Sequence, residues 1–149
     1  MLLIDTNLLV LLIVGLTNPD YIAGHRRLHK RTVEDFDEIY EFCGQSDEIV
    51  VVPHILAEVS NLTDQPYRRD IRRTLRRFIE TTVELQTEAR VVAGSDVFDR
   101  LGLTDAVILH VCTHGGSARP TLLTTDEKLA NAVISRGGAA QLFAHMSEM

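Results

Sequence analysis

The sequence predicts an α/β protein, a single-domain α/β/α sandwich over residues 1–149 with a central parallel sheet of about four to five strands. Three observations carry this expectation. Short apolar runs alternate with longer segments of helical period, the pattern of stacked β-α units. Strands separated by helices need crossovers, right-handed as a rule, which align them in parallel and cover both faces of the sheet. A length of 149 residues, 45% hydrophobic and 24% charged, suits one domain with a substantial core.

Met1 to Ile4 is a short strand of the buried type, and Asn7 to Val14 reads as a helix broken by the turn residues Gly15 to Pro19. Thr32 to Gln45 is a polar-faced helix with Phe36, Ile39, Tyr40 and Phe42 as its apolar positions. Ile49 to Val52 is the next strand, and Pro53 suits the first turn of a helix carrying Ile55, Leu56 and Val59. From Arg68 to Arg77, six arginines occupy one half of the helical wheel, while Ile71, Leu75, Phe78 and Ile79 share the other. Val83 to Gln86 reads as a short strand and Glu88 to Leu101 as a helix. Thr104 caps a helix that runs through His114 and stops at Gly115-Gly116. Thr121 to Thr124 is a strand, Glu127 to Arg136 a helix ended by Gly137-Gly138, and Ala139 to Phe143 the last strand.

Composition excludes several classes. The longest apolar run, Leu8 to Leu16, is well short of the roughly 20 residues of a membrane span, and no basic residue precedes it. Neither a membrane partner nor a secretory signal is expected. Cys43 and Cys112 lie far apart among apolar neighbours, in no zinc-like spacing, and read as reduced core thiols of a cytoplasmic protein. With no Trp and 5% aromatic residues, a recognition surface built on stacked bases is not expected. The net charge is −6, yet ten of the fifteen Lys and Arg fall in two segments, Arg26 to Arg31 and Arg68 to Arg77. Charge distribution, not the sum, decides whether a polyanion binds.

In an open parallel sheet, ligands bind outside the carboxyl ends of the strands. Asp5 follows the first strand, Asp126 follows the strand ending near Thr124, Asp105 lies in the first turn of its helix, and Glu58 sits on the helix entered through Pro53. Any one of these could be a helix cap or a surface charge. Together, beside strongly apolar sequence, they raise one another's pKa, a conflict that a hard divalent ion resolves. Mg²⁺ or Mn²⁺ prefers such oxygen ligands and is commonly held with substrate phosphate.

These residues resemble the motifs of the PIN-domain family, in family order and over nearly the whole chain. LLIDTNLLV carries Asp5, PHILAEVSNL carries Glu58, GLTDAVIL carries Asp105, and LLTTDEKLA carries Thr124 and Asp126. The stretch between Asp5 and Glu58 is longer than in compact toxin-like members, owing to Pro19 to Arg31. The resemblance implies a Mg²⁺- or Mn²⁺-dependent endoribonuclease acting on RNA, as in VapC-type toxins. It also implies Asp5, Glu58, Asp105 and Asp126 as the acidic cluster, Asn7 and Thr124 as polar supports, an antitoxin-like protein partner, and a homodimer. Water activated by the ion would attack phosphorus in line and leave a 5′ phosphate and a 3′ hydroxyl. Glu58 would ligate a second ion or position that water. Arg72 and Arg76 represent an expected phosphate-binding face.

Two rival readings are a PIN-like module that binds RNA or protein without cutting, and another Mg²⁺-dependent phosphoryl-transfer domain. All four acids are present, against the first. The position two residues after Asp5 is Asn7, against a phosphatase with a second Asp there. His25/His29 and His110/His114 have i, i+4 spacing but lack the intervening Glu of a zinc helix, and read as surface or packing residues. His54 lies one turn before Glu58, and Asp99 and Glu127 are additional acids near the motifs. No glycine-rich nucleotide loop is present.

Overall fold

The first strand of the chain becomes the centre of the sheet. The computed structural model describes residues 1–143, so the last six residues of the domain expected over 1–149 lie outside it. In chain order the strands are β1 (Leu2–Ile4), β2 (Ile49–Val51), β3 (Val83–Glu84), β4 (Thr121–Thr124) and β5 (Ala139–Leu142). They form one sheet in the order β3-β2-β1-β4-β5 with every pairing parallel. The register sets Leu3 beside Val50 on one side and Leu122 on the other.

Among the described residues the helices are α1 (Thr6–Thr17), α2 (Tyr21–Gly24), α3 (Val33–Gly44), α4 (Pro53–Leu62), α5 (Arg68–Thr81), α6 (Ala89–Ala93), α7 (Asp96–Leu101), α8 (Leu103–Thr113) and α9 (Glu127–Ser135). From β1 to β3 the chain steps outward in one direction, and from β4 to β5 in the other. Right-handed crossovers then place the connecting helices on opposite faces. The packing agrees: α1 touches α2, α3, α4 and α5, while α8 touches α6, α7 and α9 and makes a smaller contact with α4. The expected α/β/α sandwich with a parallel sheet is the architecture observed. No helix among the described residues is long and apolar enough to cross a membrane.

Helix α1 is apolar on all sides because it is covered on all sides, and it is buried from Leu8 through Gly15. Gly15 was expected to break this helix and instead lies within it. A Cβ at that position would come within 2.2 Å of the Phe36 ring, so the glycine lets α3 approach. The segment read as one helix from Glu88 to Leu101 is two, α6 and α7, because Ser95 takes the N-cap position of α7 and accepts from the Phe98 N–H. Thr104 does not cap α8; Gly102, with φ of +88°, occupies that position and Thr104 falls inside the helix. Ile79 is exposed, while Ile71, Leu75 and Phe78 of α5 are buried in the core of this same chain.

Candidate active site

The reversal of strand order lies between β1 and β4, and the carboxyl ends of these two neighbours open the crevice where ligands of such sheets bind. Asp5 directly follows β1 and is the N-cap of α1. Its Oδ1 accepts from the Thr6 N–H at 2.8 Å and its Oδ2 from the Thr124 hydroxyl at 2.7 Å. The Asp5 N–H is anchored on the Leu123 carbonyl at 2.9 Å. Thr124, the last residue of β4, is fully buried, and its hydroxyl also accepts from the Asp126 N–H at 3.0 Å. One hydroxyl thus ties together two acids that are 121 residues apart in sequence.

Asp126 is exposed and caps α9, accepting from the Leu129 N–H at 3.1 Å. Glu58, half-buried on α4, accepts at Oε1 from the Thr6 hydroxyl at 3.1 Å. Asp105 stands in the first turn of α8. The four carboxylates come from four different segments, and Thr6 and Thr124 link Asp5 to Glu58 and to Asp126.

Their electrostatics record this proximity. Burial pushes the Asp105 carboxyl up to about 6, and the nearby charges of Asp5, Asp126 and Glu58 push in the same direction. Burial also raises Asp5. The hydrogen bonds from Thr124 and Thr6 oppose that rise, while Asp126 and Glu58 add to it. Among the described residues, no three His, Cys, Asp or Glu side chains are drawn into a ready-made metal cage. The acids are spaced more loosely than that but are still coupled as charges. Mg²⁺ keeps several waters and needs few direct carboxylates. In donor chemistry and charge, the set fits a hard divalent ion.

Asn7 is exposed on the first turn of α1 and lines a shallow cleft with Arg27, Leu28, His29, Lys30 and Arg31. Arg72 and Arg76 are exposed on α5 and flank Thr74, which receives a hydrogen bond from the Thr17 hydroxyl at 2.7 Å. Thr17 ends α1, about 16 Å along the helix from Thr6 at 1.5 Å per residue. The structure does not bring these two arginines to the acidic cluster.

The paired histidines have structural contacts. His25 is buried and accepts at Nδ1 from the Arg27 N–H, and its pKa is lowered by burial and by Arg26 and Arg27. His110 and His114 stack with ring centroids 4.3 Å apart. Nδ1 of His54 is buried without a hydrogen-bond partner and makes no bond to Glu58. Asp99 and Glu127 are exposed, and neither contributes to the shifts at Asp5 or Asp105.

Sequence reasoning passed over Thr6. Its N–H holds Asp5 and its hydroxyl holds Glu58, a link across 52 residues. The signal available was a hydroxyl in the first helical turn directly after a capping Asp. Compared with known proteins, the chain matches no family model, no curated protein and no solved structure.

Proposed function

We propose that this chain is a PIN-like, divalent-metal-dependent nuclease that hydrolyses RNA phosphodiester bonds at Asp5, Glu58, Asp105 and Asp126. The observation that carries the reading is the linkage of Asp5 to Asp126 through the Thr124 hydroxyl and to Glu58 through Thr6, with Asp105 close enough to feel all three charges. Like charges gathered in a half-buried crevice are unfavourable until a cation joins them. The crevice lies at the strand-order reversal, where α/β sheets take their ligands.

In this reading Asp5, Asp105 and Asp126 hold Mg²⁺ or Mn²⁺. The bound ion would supply a lowered pKa for the attacking water and neutralise charge developing at phosphorus. The chain's own residues position the acids. Thr6 and Thr124 each occupy one lone pair of Asp5 and leave the others to ligate, and Thr6 steadies Glu58 through Oε1 alone. Glu58 then ligates a second ion or orients the water. In-line displacement expels the 3′ oxygen and leaves a 5′ phosphate. Both cysteines are free, and burial pushes the Cys43 thiol up to about 11 and that of Cys112 to about 12. Such inert thiols suit a cytoplasmic enzyme.

The test is incubation of wild type and Asp5→Asn with labelled single-stranded and structured RNAs and DNAs, in Mg²⁺, Mn²⁺ and EDTA, with end-group analysis. We expect metal-dependent RNA cleavage that yields 5′ phosphates and is abolished in the variant, whose melting curve stays cooperative. Cleavage in EDTA, retained cleavage by Asp5→Asn, or turnover of a small phosphomonoester in its place would overturn the reading.

A further inference from the structure

A strand of nucleic acid meets a difficulty at this site, because its phosphates are repelled by the carboxylates that would cut it. The bound ion relieves this at the scissile phosphate alone, and cations beside the acids would neutralise the phosphates on either side of it. In the segment from Pro19 to Arg31, residues 27–31 line a cleft with Asn7, two residues after Asp5, while Arg26 is paired with Asp64. Ile22, His25 and Leu28 are buried at a spacing of three, which turns Arg26, Arg27, His29 and Lys30 outward, all exposed. Backbone bonds from the Leu28 N–H to the His25 carbonyl and from the Arg31 N–H to the Leu28 carbonyl hold these turns, as does the contact of His29 Nδ1 with the Arg26 carbonyl. The segment is therefore a built shelf. One end shares the cleft with Asn7, the residue after Thr6, whose hydroxyl bonds Glu58.

At its other end the shelf reaches an aromatic pair. Tyr21 and Tyr67 stack in parallel with ring centroids 3.8 Å apart, and the Tyr67 hydroxyl lies beside Gly24. Tyr67 is exposed and held in the left-handed region with φ of 66°, immediately before Arg68 and Arg69. An exposed ring beside arginines is the arrangement that binds single strands, with bases stacked and phosphates neutralised. A low aromatic content does not predict this pair, because its two members come together only in the fold.

We infer that the Pro19–Arg31 shelf is the track for a single-stranded RNA substrate, with Arg27 and Lys30 on its phosphates near the acidic cluster and Tyr67 stacking a base farther along. The inference rests on the nuclease reading for what the strand is brought to, and adds where the strand lies. Tyr21 also donates its hydroxyl to Asp70 at 3.1 Å, so the track ends against the start of α5, from which the arginine face around Arg72 and Arg76 continues.

The test separates the two claims by reading binding without cleavage. A fluorescein-labelled single-stranded RNA of mixed sequence, about 12 nucleotides long to span one such site, is titrated against Asp5→Asn protein in EDTA over a range of salt. Arg27→Gln with Lys30→Gln in that background should weaken binding roughly tenfold or more at low salt and reduce the slope of log K against log salt by about 1.4, at ~0.7 per phosphate contact. Tyr67→Asn, which keeps a residue tolerant of the left-handed region, should weaken binding roughly tenfold with the slope unchanged. Arg100→Gln with Arg136→Gln, exposed on the opposite face where α7 and α9 pack on α8, should change neither quantity. These results support the track whether or not the wild type cuts RNA. Binding unaffected by the shelf variants, no binding by the parent, or an equal slope loss with Arg100 and Arg136 would overturn it, even with cleavage established.

Discussion

Asp105 concentrates the tension between stability and chemistry in one side chain. Its folded-state pKa of about 6 lies above its ordinary 3.8, so the folded chain holds that proton more tightly than the unfolded chain. The associated stability is fully present below about pH 4 and is lost as pH rises through 6. Asp105→Asn should therefore stabilise the ion-free protein at neutral pH by about 1 kcal/mol, the shift having been discounted because the group is about half exposed. Near pH 4 the difference should vanish. Urea midpoints in EDTA across this range provide the check, and a destabilised variant at pH 7 would mean that the carboxylate has an unrecognised cationic partner. Asp5 is steadied by two hydrogen bonds as well as strained by burial, so its replacement should chiefly remove activity.

At the scale of elements, α1 shows how a local rule is overridden. Gly15 followed by Thr17, Asn18 and Pro19 reads as a breaker, and glycine within a helix costs about 1 kcal/mol relative to alanine. The helix nevertheless continues to Thr17, because it is enclosed by its neighbours and Phe36 of α3 packs against the bare Cα. Gly15→Ala should consequently destabilise the protein by about 1–3 kcal/mol, since overpacking outweighs the propensity gain. A Phe36→Leu change in the same chain should recover part of the loss. An unchanged or raised melting temperature for Gly15→Ala alone would contradict the packing argument. The division of Glu88 to Leu101 into two helices was legible in Ser95, whose side chain offers a cap. The role of Gly102 was less so, because Thr104 offered a competing cap two residues later.

For the molecule as a whole, the acidic crevice joins the end of β1, the end of β4 and the starts of two helix systems. Its four acids span Asp5 to Asp126. An ion bound there only in the folded state links most of the chain. Mg²⁺ at ten times its dissociation constant should then stabilise the wild type by about 1.4 kcal/mol, or about 3 to 6 °C in melting temperature. Asp105→Asn should show little of this shift. Equal melting temperatures with and without Mg²⁺ and Mn²⁺ in the wild type would count against an ion at this site. The two basic segments meet at this scale: residues 27–31 line a cleft with Asn7 at the start of α1, while Arg26 pairs with Asp64 and Tyr21 bonds Asp70 at the start of α5.

The layers, and the edge of the sheet at which the acids fall, follow from the order of apolar runs and carboxylates along the chain. Apolar runs of strand length can be buried on both faces only in a covered parallel sheet. Carboxylates that follow such strands, or begin the next helices, fall at its carboxyl edge by connectivity alone. Which basic segment borders those acids, and whether Tyr21 meets Tyr67 across 46 residues, depended on how α1, α4 and α5 pack. Periodicity tells which face of a helix turns inward. It does not say what the outward face will have beside it, because that depends on contacts between elements far apart in the chain.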